Sequence, residues 1–217
     1  MTMTDKDLSN FFRLKVEDPM TKGDIGYAGD VNTLMPLIYH LCYSIQAKVM
    51  VEIGTADGST AFPMLKAAEE NDGLLYSVDP TICDGPESMA MRLVKAFDLE
   101  KYWRFNNMKS DEFFKNFDKK IDFALIDGDH SFPQVAKDVR NCCQRLNPKG
   151  LIFVTDFSPC RKSTIEYINE TGDIQCADGI YKGLNLVINE FPELSNITLF
   201  DRVNASVIIG RSFQQLS

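Results

Sequence analysis

Four acidic positions stand in or just after apolar runs of the chain: Glu52 within Val49-Met50-Val51-Glu52-Ile53, Asp79 after residues 74–78, Asp127 after 121–126 and Asp156 after 151–155. Carboxylates at strand ends have a short repertoire: they accept hydrogen bonds from sugar hydroxyls, exchange protons, or hold cations. Glu52 is followed by Gly54-Thr55-Ala56-Asp57-Gly58-Ser59-Thr60, a glycine-spaced turn whose backbone can bend sharply and come close to a ligand. The G-x-G-x-x-G spacing of a pyrophosphate cradle is missing, and Asp57 would repel a phosphate. The turn therefore reads as a site for a nucleoside without phosphates. Asp79 is placed to accept both hydroxyl hydrogens of a ribose, although a strand-ending turn before Pro80 accounts for it equally well. Beside Asp127 stands His130, whose imidazole titrates near neutrality. His130 or Asp127 is therefore a candidate to remove a hydroxyl proton, the plainer reading of His130 being a turn hydrogen bond toward Ser131.

To bring these groups to one edge, strands must alternate with helices. The pattern predicts strands at 49–53, 74–78, 102–106, 121–126 and 151–155, with helices at 60–70, 86–97 and 111–117 and one following Ser131. Thr33 reads as an N-cap with Pro36 in the tolerated first turn, opening a helix whose stripe is Leu34, Ile38, Leu41, Cys42 and Ile45. Ser131 and Gln134 have capping-box spacing, and the helix they open should stop at Asn147-Pro148-Lys149-Gly150. Residues 158–182 read as an irregular polar insertion with a short helix at 163–169. A helix at 183–191 and strands at 197–200 and 205–209 close the chain, the last two near enough in sequence for an antiparallel edge hairpin. The expectation is an α/β fold with a mostly parallel sheet of seven strands covered on both faces, and ligands beyond the carboxyl ends of its strands. Residues 1–32, with a short helix near 7–15 and glycines at 23, 26 and 29, form an N-terminal extension or lid. Residues 33–217 form the domain.

Composition excludes several functions. The formal net charge is −8 and no basic run occurs, so nucleic acid is not an expected partner. The apolar stretch 34–53 is broken by Pro36, His40, Gln46, Lys48 and Glu52, and no signal-peptide pattern opens the chain, so no membrane span is expected. Six cysteines without C-x-x-C pairs fit reduced, buried thiols in a cytoplasmic protein. Nothing in the sequence decides between a monomer and a homo-oligomer.

Glu52-x-Gly54-x-x-x-Gly58 followed by an acidic second-strand end resembles the S-adenosylmethionine site of class I methyltransferases. Ile126-Asp127-Gly128-Asp129-His130-Ser131-Phe132 and Lys149-Gly150-Leu151-Ile152-Phe153-Val154-Thr155-Asp156-Phe157 resemble a small-molecule O-methyltransferase subgroup. That subgroup includes sugar and macrolide O-methyltransferases and cephalosporin-hydroxylase-like proteins. The resemblance spans roughly residues 33–211. It implies a Rossmann-like doubly wound sheet, S-adenosylmethionine as cofactor, and a small-molecule acceptor whose hydroxyl is methylated. Glu52 would organise the turn; Gly54, Thr55 and Gly58 would line the methionine part, with Ser59 near its carboxylate. Asp79 would hold the ribose, Ser110 and, more weakly, Met108 the adenine, and Asp127 the cofactor or acceptor. The plainer role of Ser110 is to begin a helix. Some members bind a divalent metal such as magnesium, which here would fall to Asp127 and Asp156, with Asp129 as a substitute ligand. Thr155 departs from the pattern of metal-dependent members, since a hydroxyl is a poorer ligand than a carboxylate. Phe157, Tyr181 and Lys182 are candidates for the acceptor pocket. The other classes the sequence admits are an NAD-dependent oxidoreductase and a catalytically silent nucleoside-binding module.

Overall fold

The computed structural model describes residues 28–81, 88–155, 174–199 and 205–210. Its strands are β1 (Val49–Ile53), β2 (Leu74–Val78), β3 (Trp103–Asn106), β4 (Ile121–Ile126), β5 (Leu146–Val154), β6 (Ser195–Leu199) and β7 (Ala205–Ile209), and its helices are α1 (Ala28–Ser44), α2 (Ala61–Asn71), α3 (Met89–Ala96), α4 (Ser110–Asn116), α5 (Phe132–Arg145) and α6 (Ile174–Ile188). The strands form one seven-stranded sheet in the order β3-β2-β1-β4-β5-β7-β6. β1 to β5 run parallel, and β7 inserts antiparallel between β5 and β6.

The continuous hydrophobicity of the strands serves two faces, because successive side chains of a strand point oppositely. Met50, Leu75, Phe123, Leu125 and Phe153 pack with α1, α2 and α3. Val51, Ile53, Val78, Ala124, Ile126 and Ile152 pack on the other side with α4, α5 and α6. Each large apolar side chain removed from water in these layers contributes roughly 1.5–3 kcal/mol. Glu52 shares a face with Met50 and is entirely buried. Its register partner is Ser77 on β2.

Several boundaries differ from the sequence-based expectation. α1 starts at Ala28, so Thr33 is not its cap and Pro36 lies inside the helix. An interior proline costs about 3 kcal/mol; burial of Met35, Ile38, Tyr39 and Cys42 in the layer shared with α2 offsets that. β5 begins directly after α5, because Leu146 pairs with Ile121 across an irregular register and the expected loop at 147–150 is taken up into the strand. α6 begins at Ile174 and contains Gly183, where the sequence suggested a helix start. A Cβ on Gly183 would sit 2.9 Å from the Val135 side chain, so this glycine serves the approach of α6 to α5. Helix therefore replaces the irregular insertion expected over 174–182. The expected features at 1–27 and 163–169, together with Pro86, Asp156 and Phe157, lie outside the described residues.

Cys42, Cys142 and Cys143 are free and buried as expected. Burial pushes all three thiols up, that of Cys143 to about 12. Among the described residues no helix is long and apolar enough to cross a membrane.

Candidate active site

The parallel strands end together, and backbone hydrogen bonds continue past their ends. Gly54 N–H donates to Val78 O at 2.9 Å, Asp127 N–H to Ile53 O at 2.8 Å and Thr155 N–H to Ile126 O at 3.1 Å. This brings the β1 turn, Asp79 and Asp127 to the rim of a cleft of about 390 Å³, also lined by Ser110, Gln134 and Asp138.

The two glycines make the sharp turn that the sequence implies, and both are also required by packing. Gly54 has φ +85°, and a Cβ there would lie 2.2 Å from Asp127 O. Gly58 has φ +86°, and its Cβ would lie 2.9 Å from Ala90 Cα on α3. Both therefore serve backbone-to-backbone packing, β1 turn against β4 turn and turn against helix. Only Gly54 also lines the cleft. Glu52 supports the turn from beneath: Thr60 Oγ donates to one carboxylate oxygen and Ser77 Oγ to the other, each at 2.7 Å. Trp103 Nε1 donates to Ser77 Oγ at 2.9 Å and extends the chain. Burial pushes Glu52 up to about 7 against the lowering effect of these hydroxyls and of Thr55, and nearby Asp127 adds to the rise.

Asp79 is nearly buried but differently supplied. One oxygen accepts the amides of Thr55 at 2.9 Å and Ala56 at 3.1 Å. The other accepts the amide and hydroxyl of Thr81, each at 2.7 Å. Burial raises its pKa, but the donors of Thr81, Ala56 and Thr55 more than offset this, and the net shift is downward. Asp79 is thus a carboxylate held ionised, and the Thr81 donors occupy the lone pairs that a ribose diol would take. Ser59 is committed locally, its amide and hydroxyl donating to Asp57 at 3.0 and 2.6 Å.

At the end of β4, Asp127 Oδ1 accepts the Thr155 hydroxyl at 2.5 Å and lies 3.5 Å from His130 Nε2. His130 and Asp127 are each about one-third exposed (34% and 33%), so both face solvent as well as each other. The expected capping box at Ser131 does not form. Asp129 accepts the Ser131 amide at 2.8 Å, and Gln134 turns outward. Gln134 Nε2 instead donates to Ser110 Oγ at 3.0 Å, Asp138 Oδ1 at 3.1 Å and Asp111 Oδ1 at 3.2 Å, tying α5 to the start of α4. Asp138 is 1% exposed, and burial pushes it up to about 6 despite hydrogen bonds with Ser110 and Gln134. Neither Gln134 nor Asp138 was singled out as a site residue in the sequence. The available signal was a charge at 138 inside the stripe Val135, Val139, Cys142 of an otherwise apolar helix face.

The donors present fit an adenosyl sulfonium. Among the described residues, Asp79, Asp127, Asp129 and Asp138 line the cleft against one cation, Lys109, a field that favours a positive ligand and opposes a pyrophosphate, while Ile53, Val78 and Pro80 offer apolar wall. A metal fits less well. Among the described residues no group of three or more His, Cys, Asp or Glu is arranged to hold one. Asp127 accepts a hydrogen bond from the Thr155 hydroxyl, Asp129 is used on the helix start, and Asp156 lies outside the described residues.

Residues 51–157 match the family model of a methyltransferase domain. No curated relative is matched by sequence. Among solved structures, the SAH-bound methyltransferase PaMTH1 of Podospora anserina superposes with a TM-score of 0.71 at 12% identity, over 95% of this chain and 88% of that one. An O-methyltransferase of Bacillus cereus in complex with SAH gives 0.69 at 14% identity, over 94% and 90%. TomG of Streptomyces achromogenes, an O-methyltransferase of tomaymycin synthesis in complex with SAM, gives 0.63 at 13% identity, over 95% and 90%. At these identities the superpositions establish a shared fold, and the family model covers the segment that carries the turn, Asp79, Asp127 and Gln134. Residues 51–157 are thus similar to a methyltransferase domain, carried on a fold shared with SAM- and SAH-bound methyltransferases.

Proposed function

We propose that the protein methylates a hydroxyl oxygen of a small molecule. The observation that carries this reading is the ionised Asp79 beside an acidic, phosphate-averse turn, with a histidine 3.5 Å from Asp127, which lines the same cleft. Asp79 takes the ribose hydroxyls in place of the Thr81 donors, the β1 turn and Ser110 frame the rest of the cofactor, and the acidic lining favours its positive charge. S-adenosylmethionine supplies an electrophilic methyl carbon whose bond to sulfur breaks as the bond to oxygen forms. The protein therefore has two tasks, in-line alignment and removal of the hydroxyl proton. His130 receives that proton, and Asp127, 3.5 Å from its Nε2, stabilises the imidazolium. A metal-assisted route through Asp127 and Asp156 makes a different forecast, since chelation would abolish turnover. The acceptor reading has support from two of the superposed structures, which are O-methyltransferases. The buried, reduced cysteines fit a cytoplasmic protein.

Calorimetric titration with S-adenosylmethionine, S-adenosylhomocysteine and NAD tests the cofactor, and turnover on matched hydroxyl, amine and thiol acceptors tests the reaction. Binding of NAD alone sinks the proposal. His130→Ala is expected to lower kcat by roughly 100-fold or more with little change in cofactor affinity, the range of general-base losses. Full turnover would remove the histidine from the mechanism.

A further inference from the structure

Gln134 is held in one orientation by its surroundings. Its amide nitrogen lies 3.0 to 3.2 Å from Ser110 Oγ, Asp138 Oδ1 and Asp111 Oδ1. Ionised carboxylates only accept hydrogen bonds, so the pole of the amide that faces two of them must be the NH2. Asp111 stays ionised because Lys137 donates to it at 2.8 Å, and Gln134 donates as well. A flipped amide would set its oxygen against both carboxylates. No donor among the described residues reaches the Gln134 side-chain oxygen, and Gln134 lines the cleft beside Ser110 and Asp138. The ribose position is taken by Asp79 and the β1 turn occupies the other flank. The wall formed by Lys109, Ser110 and Gln134 is left to face the base.

We propose that Gln134 reads the exocyclic amino group of the cofactor's purine through its side-chain oxygen, and that Asp138 and Asp111 are positioning residues that keep the oxygen outward. This rests on the adenosyl reading of the cleft. An amino group at the purine 6-position donates to that oxygen, whereas the 6-oxo group of hypoxanthine sets two acceptors face to face. A buried acceptor left without a donor costs roughly 1–3 kcal/mol, equivalent to about 5- to 150-fold in affinity.

The test is calorimetric binding of S-adenosylhomocysteine and S-inosylhomocysteine to the full chain. The ratio of the two affinities is independent of the fraction folded, so it stays interpretable if a variant is destabilised. The wild type is expected to prefer the adenosyl compound by about tenfold or more. Gln134→Leu is expected to cut that ratio at least fivefold. The double variant Asp111→Asn, Asp138→Asn keeps Gln134 but removes both obligate acceptors, letting the amide turn over, and the ratio should fall there also. A wild type that binds both compounds equally, or a Gln134→Leu ratio within twofold of wild type, overturns the Gln134 proposal while leaving the site intact. An undiminished ratio in the double variant overturns the positioning role. Failure of the wild type to bind either compound removes the adenosyl reading itself, and the proposal with it.

Discussion

The turn after β1 and the wall around Asp79 border the same cleft, yet they are built on opposite terms. Beneath the turn, Glu52 of β1 accepts two hydroxyl hydrogens in a dry layer, and burial pushes it up to about 7. At the end of β2, Asp79 gathers three amides and a hydroxyl and remains an anion. Gly54 and Gly58 likewise serve contact between backbones more than contact with a ligand. The sequence feature that marks the site is thus mainly the frame of the site. The groups suited to grip a ligand sit beside it, each on a different element.

The comparison can be broken at four points, beginning with the largest effect. Gly54→Ala places a Cβ 2.2 Å from Asp127 O at a left-handed φ. It is expected to destabilise the fold by more than about 3 kcal/mol in chemical denaturation, because neither backbone can retreat. A wild-type midpoint would show that the turn is plastic. Glu52→Gln separates charge from shape. Glu52 titrates near 7 in the fold against 4.5 for the free side chain, so the folded state holds a proton that the unfolded state has released between those values. Its contribution to stability is full below about pH 4.5 and lost as pH rises through 7, an effect of about 3 kcal/mol. The glutamine variant should show a flatter pH dependence of unfolding and gain on wild type at pH 8. Equal slopes would place the charge of Glu52 elsewhere.

Asp79→Asn should weaken S-adenosylhomocysteine binding by roughly 30- to 100-fold, since an amide cannot accept both ribose hydroxyls on one edge and the charge-assisted bonds are lost. Calorimetry would read it, and an affinity within threefold of wild type would move the ribose off this residue. The smallest effect is expected for Ser59→Ala. Its hydroxyl already donates to Asp57 at 2.6 Å, so cofactor affinity should change less than about threefold. A tenfold loss would mean that this hydroxyl turns to the ligand when the site fills.

Much of this was legible in the sequence because type and spacing coincide at the strand ends. Glu52, Gly54, Asp79 and Asp127 each follow or interrupt an apolar run whose length marks a strand, and parallel strands bring their ends to one edge. The contribution of α5 was not legible. Gln134 has capping-box spacing from Ser131, and only the competing carboxylates of Asp111 and Asp138, from two different helices, draw it outward. Such long-range competition leaves no local pattern. Pro36 and Gly183 misled for a related reason: each is a helix breaker by propensity that packing retains inside a helix.

The hydrogen-bonded chain from Trp103 through Ser77 to Glu52 has a spectroscopic consequence. Trp103 is the sole tryptophan of the sequence, so its emission comes from one place, two hydrogen bonds from the carboxyl beneath the β1 turn. When Glu52 loses its proton, Ser77 is drawn more strongly to the anion and becomes a better acceptor for the indole N–H. The protein carries an internal optical pH electrode, and a titration of its intrinsic fluorescence between pH 5 and 9 should trace the ionisation of a group that no solvent-borne probe can reach.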